Sequence, residues 1–268
     1  MSISALRNLV LATAMLTIVL SSLNVGWVYG ILAVTVPLLW SCFFCLRHGR
    51  TTNRFLPGSF LWPVALCFAT ACMIAPAIVA LAELFNNAFA AISAQSPLAY
   101  FVLRAGLVEE LLKLSAVLIV LRYLAKGAIT HPKDGVILAC AAALGFSAYE
   151  NLYHNLYLVQ LESGIAQAFF LGALVRVPLH PLYSSMWGAA LGIAYFTSGA
   201  KRYLTLVLGL IPAVFLHGLW DTLAQSQGTV TGVLLTLLYA AFWYCYWRTW
   251  KGCEAFQLVT SGSNQNSF

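Results

Sequence analysis

The sequence predicts an all-α, polytopic membrane protein: a bundle of about eight transmembrane helices with both termini in the cytoplasm. Three observations predict it. Of the 268 residues, 61% are hydrophobic and only 8% charged, where a soluble domain carries roughly 25% charged residues. The apolar residues come in repeated runs of about 20, the length that crosses a bilayer as a helix. The basic residues are confined to alternate connections between those runs. The alternation of apolar and polar residues that marks an outer-membrane barrel is missing.

The runs fall at 5–23, 25–46, 60–82, 99–121, 135–159, 169–199, 203–223 and 229–247. Arg7 before an apolar stretch imitates a secretory signal, but "SSLNVGWVYG" leads directly into the second run without an A-x-A cleavage site, so 5–23 reads as a first span. The sixth run is too long for one straight span. A short amphipathic segment, "IAQAFFLGALVR", is expected to break near Pro178 into the span proper, proline being a common kink site. With the N-terminus inside, Arg7, Arg47, Arg50, Arg54, Arg122, Lys126, Lys133, Lys201, Arg202, Arg248 and Lys251 all lie on the inner side. The outer connections hold no Lys or Arg, and Arg104, Lys113 and Arg176 fall inside spans. This asymmetry fits eight crossings and would be hard to obtain with one span missed. It also explains the net charge of +6 without invoking nucleic acid.

Residues 1–253 read as a single transmembrane domain, and the polar stretch from 254, ending "SGSNQNSF", as a disordered cytoplasmic tail. The seven cysteines, at 42, 45, 67, 72, 140, 245 and 253, avoid the outer connections, so structural disulfides are not expected. Cys42 and Cys45 read as thiols packing like small apolar groups.

An ionisable residue within a membrane is costly and by default points to function. Four spans supply such residues. The fourth carries Glu109, Glu110 and Lys113 in "LVEELLKL"; i, i+4 and i, i+3 spacing lets Lys113 neutralise one carboxylate. The fifth reads "LGFSAYENLYHNLYL" and places Phe146, Glu150 and His154 on one face, with His154 nearer the outer end as an interfacial residue. In the sixth, His180, Ser184, Gly188 and Gly192 share a stripe; the two glycines form a small-x-x-x-small surface, which turns His180 toward a neighbouring helix. In the seventh, His217 and Asp221 stand at i, i+4, suited to a carboxylate that orients an imidazole or to two ligands on one turn. Each stretch alone also reads as a structural ion pair or a hydrogen-bonded histidine. Together they place carboxylates and imidazoles at comparable depth, roughly 10–15 Å from the outer side at 1.5 Å per residue. Carboxylates with two histidines are what water-activating hydrolysis requires.

These residues carry a family resemblance. "EELLK" at 109–113 resembles the E-E-x-x-K motif of PrsW-type intramembrane proteases, and "FSAYE" at 146–150 their F-x-x-x-E. His180 matches their isolated histidine, and "HGLWD" at 217–221 their H-x-x-x-D. The motifs occur in order between 99 and 224. The CAAX-prenyl and bacteriocin-processing membrane proteases are similar in pattern, but they show E-E-x-x-x-R and F-x-x-x-H; Lys113 and Glu150 depart from both. The resemblance implies an endopeptidase that cuts a membrane-anchored protein, such as an anti-sigma factor, near the outer face of a bacterial inner membrane.

Two mechanisms remain open. In one, Glu109 or Glu110 activates water, Glu150 or His180 positions it, and His217 with Asp221 stabilises the oxyanion. In the other, His180, His217 and a carboxylate, foremost Glu150, hold Zn²⁺, and Glu109 or Glu110 is the base. A proton-coupled transporter or channel is the rival reading, with the same groups as a relay. The apolar lower halves of the spans, such as "SAVLIVL" and "ILACAAAL", argue against it.

Overall fold

The computed structural model describes residues 27–52, 58–160, 175–226 and 228–265, with 4–5, 7–8, 10–13 and 15. Much of the expected first span and of the amphipathic segment 165–176 lies outside these residues, as does the side chain of His154. Every regular element described is helical: α1 (Trp27–Thr52), α2 (Gly58–Gln95), α3 (Pro97–Phe101), α4 (Val108–Ile119), α5 (Pro132–Gln160), α6 (Val177–Tyr195), α7 (Gly199–Gln225) and α8 (Thr229–Gln265). Among the described residues, four helical stretches, Phe60–Ala77, Pro132–Leu152, Gly199–Gln225 and Thr229–Gln257, are long and apolar enough to cross a membrane. On α7, Leu204, Val207, Leu208 and Ile211 stand exposed, an outward apolar face that suits lipid.

Two boundaries differ from expectation. α2 runs on to Gln95 through what reads as an outer connection, before Ser96 caps α3 by accepting from the Ala99 amide at 3.3 Å. α8 continues to Gln265 through the segment expected to be a disordered tail. Its charge there is neutralised: Glu254 pairs with Lys133 at 2.7 Å and with Lys251 at 2.8 Å.

Between α3 and α4 the helix widens into a π-helical turn over Val102–Leu107, and a second π turn follows α4 over Val120–Leu124. Such turns gather at functional sites; the first leads directly into Glu109 and Glu110.

The chain divides into two compact units, one comprising Met1–Leu81, Leu112–Ala128 and Cys140–Pro181, the other Ala82–Leu111, Ile129–Ala139 and Leu182–Phe268. The core of the first includes Leu66, Cys67, Cys72, Ala116, Val117, Val120 and Leu144, all fully buried. Gly145 lets α5 close on α2: a Cβ there would fall on the Phe68 carbonyl oxygen. Arg7 donates twice to the Leu124 carbonyl, at 2.9 and 2.5 Å, satisfying an acceptor at the end of the second π turn.

The second unit is built on backbone contact. Gly188 and Gly192 of α6 lie against the opening turns of α5, where Cβ atoms would strike Ala139 and the Pro132 carbonyl. The small-x-x-x-small surface read from the sequence is therefore a packing surface. Gly106 in the first π turn and Gly218 in α7 do the same for each other's helices: a Cβ on the first meets the Val214 carbonyl, and one on the second meets the Val102 Cα. α5 begins on a local cap, in which Asp134 Oδ2 accepts from the amides of Thr130 and His131, each at 2.8 Å.

Candidate active site

The closeness of α7 to the first π turn brings His217 to the glutamates of α4. Glu110 is fully buried. Its Oε2 accepts from Ser184 Oγ at 2.6 Å and from Trp187 Nε1 at 2.8 Å, both on α6. Oε1 lies 3.1 Å from His217 Nδ1. Ionised, Glu110 accepts at Oε1 as well, and the imidazole donates to it from Nδ1–H. Its lone pair is then at Nε2. That nitrogen faces Glu109 Oε2 at 3.6 Å and Asp221 Oδ2 at 3.7 Å. The Tyr183 ring stacks on the imidazole, with centroids 4.5 Å apart and planes at 19°, and Phe242 meets Tyr183 edge-on.

Glu109 and Glu110 are neighbours in sequence with different surroundings. The Glu110 side chain is closed to solvent, while those of Glu109 and Asp221 are 15% and 31% exposed. Glu110 therefore serves to hold the imidazole, and Glu109 and Asp221 are the accessible carboxylates. Of these groups, Glu109 and His217 lie close enough to share a divalent cation. Ligands of a tetrahedral Zn²⁺ site, with bonds near 2.1 Å, stand about 3.4 Å apart, close to the two separations at Nε2. An imidazole whose other N–H is held by a carboxylate is the usual arrangement around such a ligand.

The first unit holds a second cluster. His180 Nε2 lies 2.8 Å from Glu150 Oε2, and its Nδ1 lies 3.1 Å from Lys113 Nζ. Glu150 Oε1 approaches Arg176 Nη2 at 3.7 Å, and Asn151 Oδ1 accepts from the same nitrogen at 3.3 Å. Phe146 packs against the His180 ring, with centroids 5.6 Å apart, so the shared face of Phe146 and Glu150 read from the sequence is turned to one partner.

Within the second unit Glu109, Glu110, His217 and Asp221 come together, and within the first Glu150 meets His180. Ser184, Trp187, Asn151 and Arg176 had not been read as partners. The first two follow His180 by four and seven residues, and Arg176 precedes it by four, so the helical period that marked His180 also marks them.

Fold and site define a class: an integral membrane protein of apolar helices that buries a carboxylate–imidazole centre suited to hydrolysis. The description "PrsW family intramembrane metalloprotease" belongs to the family model that matches residues 54–247. The chain belongs to this family and is a peptidase. It is 31% identical over 163 residues to Protease PrsW of Geobacillus kaustophilus, covering 60% of this chain and 67% of that one. To Protease PrsW of Bacillus subtilis it is 30% identical over 111 residues, 41% and 48% of the two chains. To that of Clostridioides difficile it is 26% identical over 141 residues, 52% and 57%. The matches thus span about two thirds of the first relative and about half of the other two. No solved structure matches the chain.

Proposed function

We propose that this protein cleaves a peptide bond in a membrane-anchored protein near the outer face of a bacterial plasma membrane. By the family pattern, an anti-sigma-factor-like protein is the substrate. The observation that carries the reading is the setting of His217. Its Nδ1 is 3.1 Å from buried Glu110, while its Nε2 faces the accessible carboxylates of Glu109 and Asp221.

His217 Nε2 and Glu109 are groups we assign to hold a divalent cation such as Zn²⁺, with Asp221 facing the same nitrogen. Bound there, the cation supplies acidification of its water and polarisation of the scissile carbonyl. The chain's own residues do the rest. Glu110 fixes the imidazole, Ser184 and Trp187 keep Glu110 from turning, and Tyr183 covers one imidazole face. Glu150 and His180 are assigned to proton handling, taking a proton from water and delivering it to the departing amine. Their support is the family's motif order.

The test is cleavage of a single-span reporter by the full-length protein in proteoliposomes, with zinc measured on the same samples. Wild type cleaves and binds about one zinc per chain. His217→Ala loses the zinc, and cleavage falls by roughly 10²–10⁴-fold; Glu109→Gln falls similarly. Cleavage at the wild-type rate in His217→Ala overturns the site. Active wild type free of zinc overturns the cation assignment and leaves Glu109 to activate water.

A further inference from the structure

Arg104 carries a permanent charge into a span. In the second unit the other lysines and arginines, Lys133, Lys201, Arg202, Arg248 and Lys251, belong to the inner side in the topology read from the sequence. Arg104 falls near the outer end of the run 99–121, where a positive charge opposes that topology. An ionisable residue in such a place points to function. Among the described residues, Arg104 Nε is enclosed and has no hydrogen-bond partner. The guanidinium lies over the Tyr100 ring, with Cζ 5.7 Å from the centroid. Stacking of this kind orients the guanidinium and accepts none of its hydrogens in the ring plane. An arginine kept for packing would donate to a carbonyl or carboxylate of the fold. Arg104 is half-buried, so its terminal nitrogens can be reached from outside.

Arg104 precedes Glu109 by five residues. In an α-helix residues five apart face different sides. The i→i+5 bonding of the π turn over Val102–Leu107 closes part of that angle. At 1.5 Å per residue Arg104 stands about 7 Å outward of Glu109, and its side chain reaches further, to Tyr100. An extended peptide advances about 3.3 Å per residue. A guanidinium matches a carboxylate with two parallel hydrogen bonds. Glu109 and Asp221 would repel an acidic side chain at the cleaved bond itself, whereas Arg104 matches one further outward.

We propose that Arg104 is a specificity-determining residue: it receives the carboxylate of an acidic side chain in the substrate, about two to four residues outward of the cleaved bond. The proposal rests on the hydrolytic reading above for its substrate and names the class of sequence that the site selects.

The experiment uses full-length protein in lipid nanodiscs and fluorescent single-span peptides. The peptides carry Glu or Gln at one outer-flank position at a time. Affinity is measured in Glu109→Gln, which keeps the peptide intact, and cleavage in wild type. In one register the Glu peptide is expected to bind roughly 10-fold or more tighter than its Gln counterpart. Arg104→Lys keeps part of the preference and Arg104→Gln removes it. Arg104→Glu reverses it in favour of a Lys peptide of the same register, a reversal that a purely structural role would not produce. Equal binding of Glu and Gln peptides in every register overturns the proposal, and needs no substitution at Arg104 to be seen. It is also the result expected of an arginine seated on a lipid phosphate. A preference that survives in a folded Arg104→Gln overturns the proposal as well. Absence of cleavage by wild type overturns the hydrolytic reading, and the affinities still decide what Arg104 receives.

Discussion

Two adjacent glutamates cannot share a task when one is sealed and the other is not. Glu110 receives Ser184, Trp187 and His217 on its two oxygens, whereas Glu109 meets Nε2 of the same imidazole from a partly exposed position. Glu110→Gln is expected to weaken cleavage by roughly 10–100-fold, as for other groups that orient a ligand, and to fall less far than Glu109→Gln. Equal losses, measured on the same reporter, would contradict the division of labour. Trp187→Phe keeps an aromatic side chain but deletes the donor to a buried carboxylate together with half of the indole. It should cost about 1–3 kcal/mol of stability, readable as a lower unfolding temperature in detergent. The glutamates and histidines were legible in the sequence because charge within an apolar run stands out at once. Which glutamate is sealed and which is accessible was not legible: that depends on Ser184 and Trp187, ordinary residues in a helix until packing brings them onto Oε2.

At the scale of elements, glycines decide how close the helices come. Gly106 and Gly218 let the first π turn and α7 touch backbone to backbone, and this contact carries His217 to Glu110. A side chain at Gly218 must push against the Val102 backbone, which has no flexible end to move aside. Gly218→Val is therefore expected to cost about 1–3 kcal/mol or more and to abolish cleavage by moving His217 away from Glu110, while Gly232→Val, at a glycine with open space around it, leaves both unchanged. Thermal unfolding and reporter cleavage of the two variants check this. The packing stripe of Gly188 and Gly192 was readable from i, i+4 spacing alone. The π turn before Glu109 was not, because no residue type marks a widened turn. The extension of α8 past 254 was missed for a related reason. Polar composition argues for disorder only while the charges lack partners, and Glu254 has Lys133, itself stacked 4.7 Å from the Trp250 ring.

At the scale of the whole chain, the distribution of basic residues and two contacts within the units bear on how often it crosses the membrane. In the first unit, Arg7 donates to the Leu124 carbonyl. The expected topology, which sets residues 7 and 124 on one membrane face, asks for an even number of crossings between them. In that expectation the apolar runs at 5–23, 25–46, 60–82 and 99–121 are the four. In the second unit, Lys133 pairs with Glu254, which agrees with the expectation that both lie on one face with four crossings, from 135 to 247, between them. Each contact is independent of the count of arginines and lysines, from which Arg7, Lys133 and Lys251 are expected on the inner side. Reporter fusions or single-cysteine labelling in whole cells should thus find positions 8, 127 and 252 on the cytoplasmic face, and positions 96 and 160 on the outer face. Outward labelling at 252 with inward labelling at 127 would remove one crossing from the second half. It would also break the Lys133–Glu254 pair, so Glu254→Lys would then leave stability unchanged instead of setting two like charges against each other in a buried place.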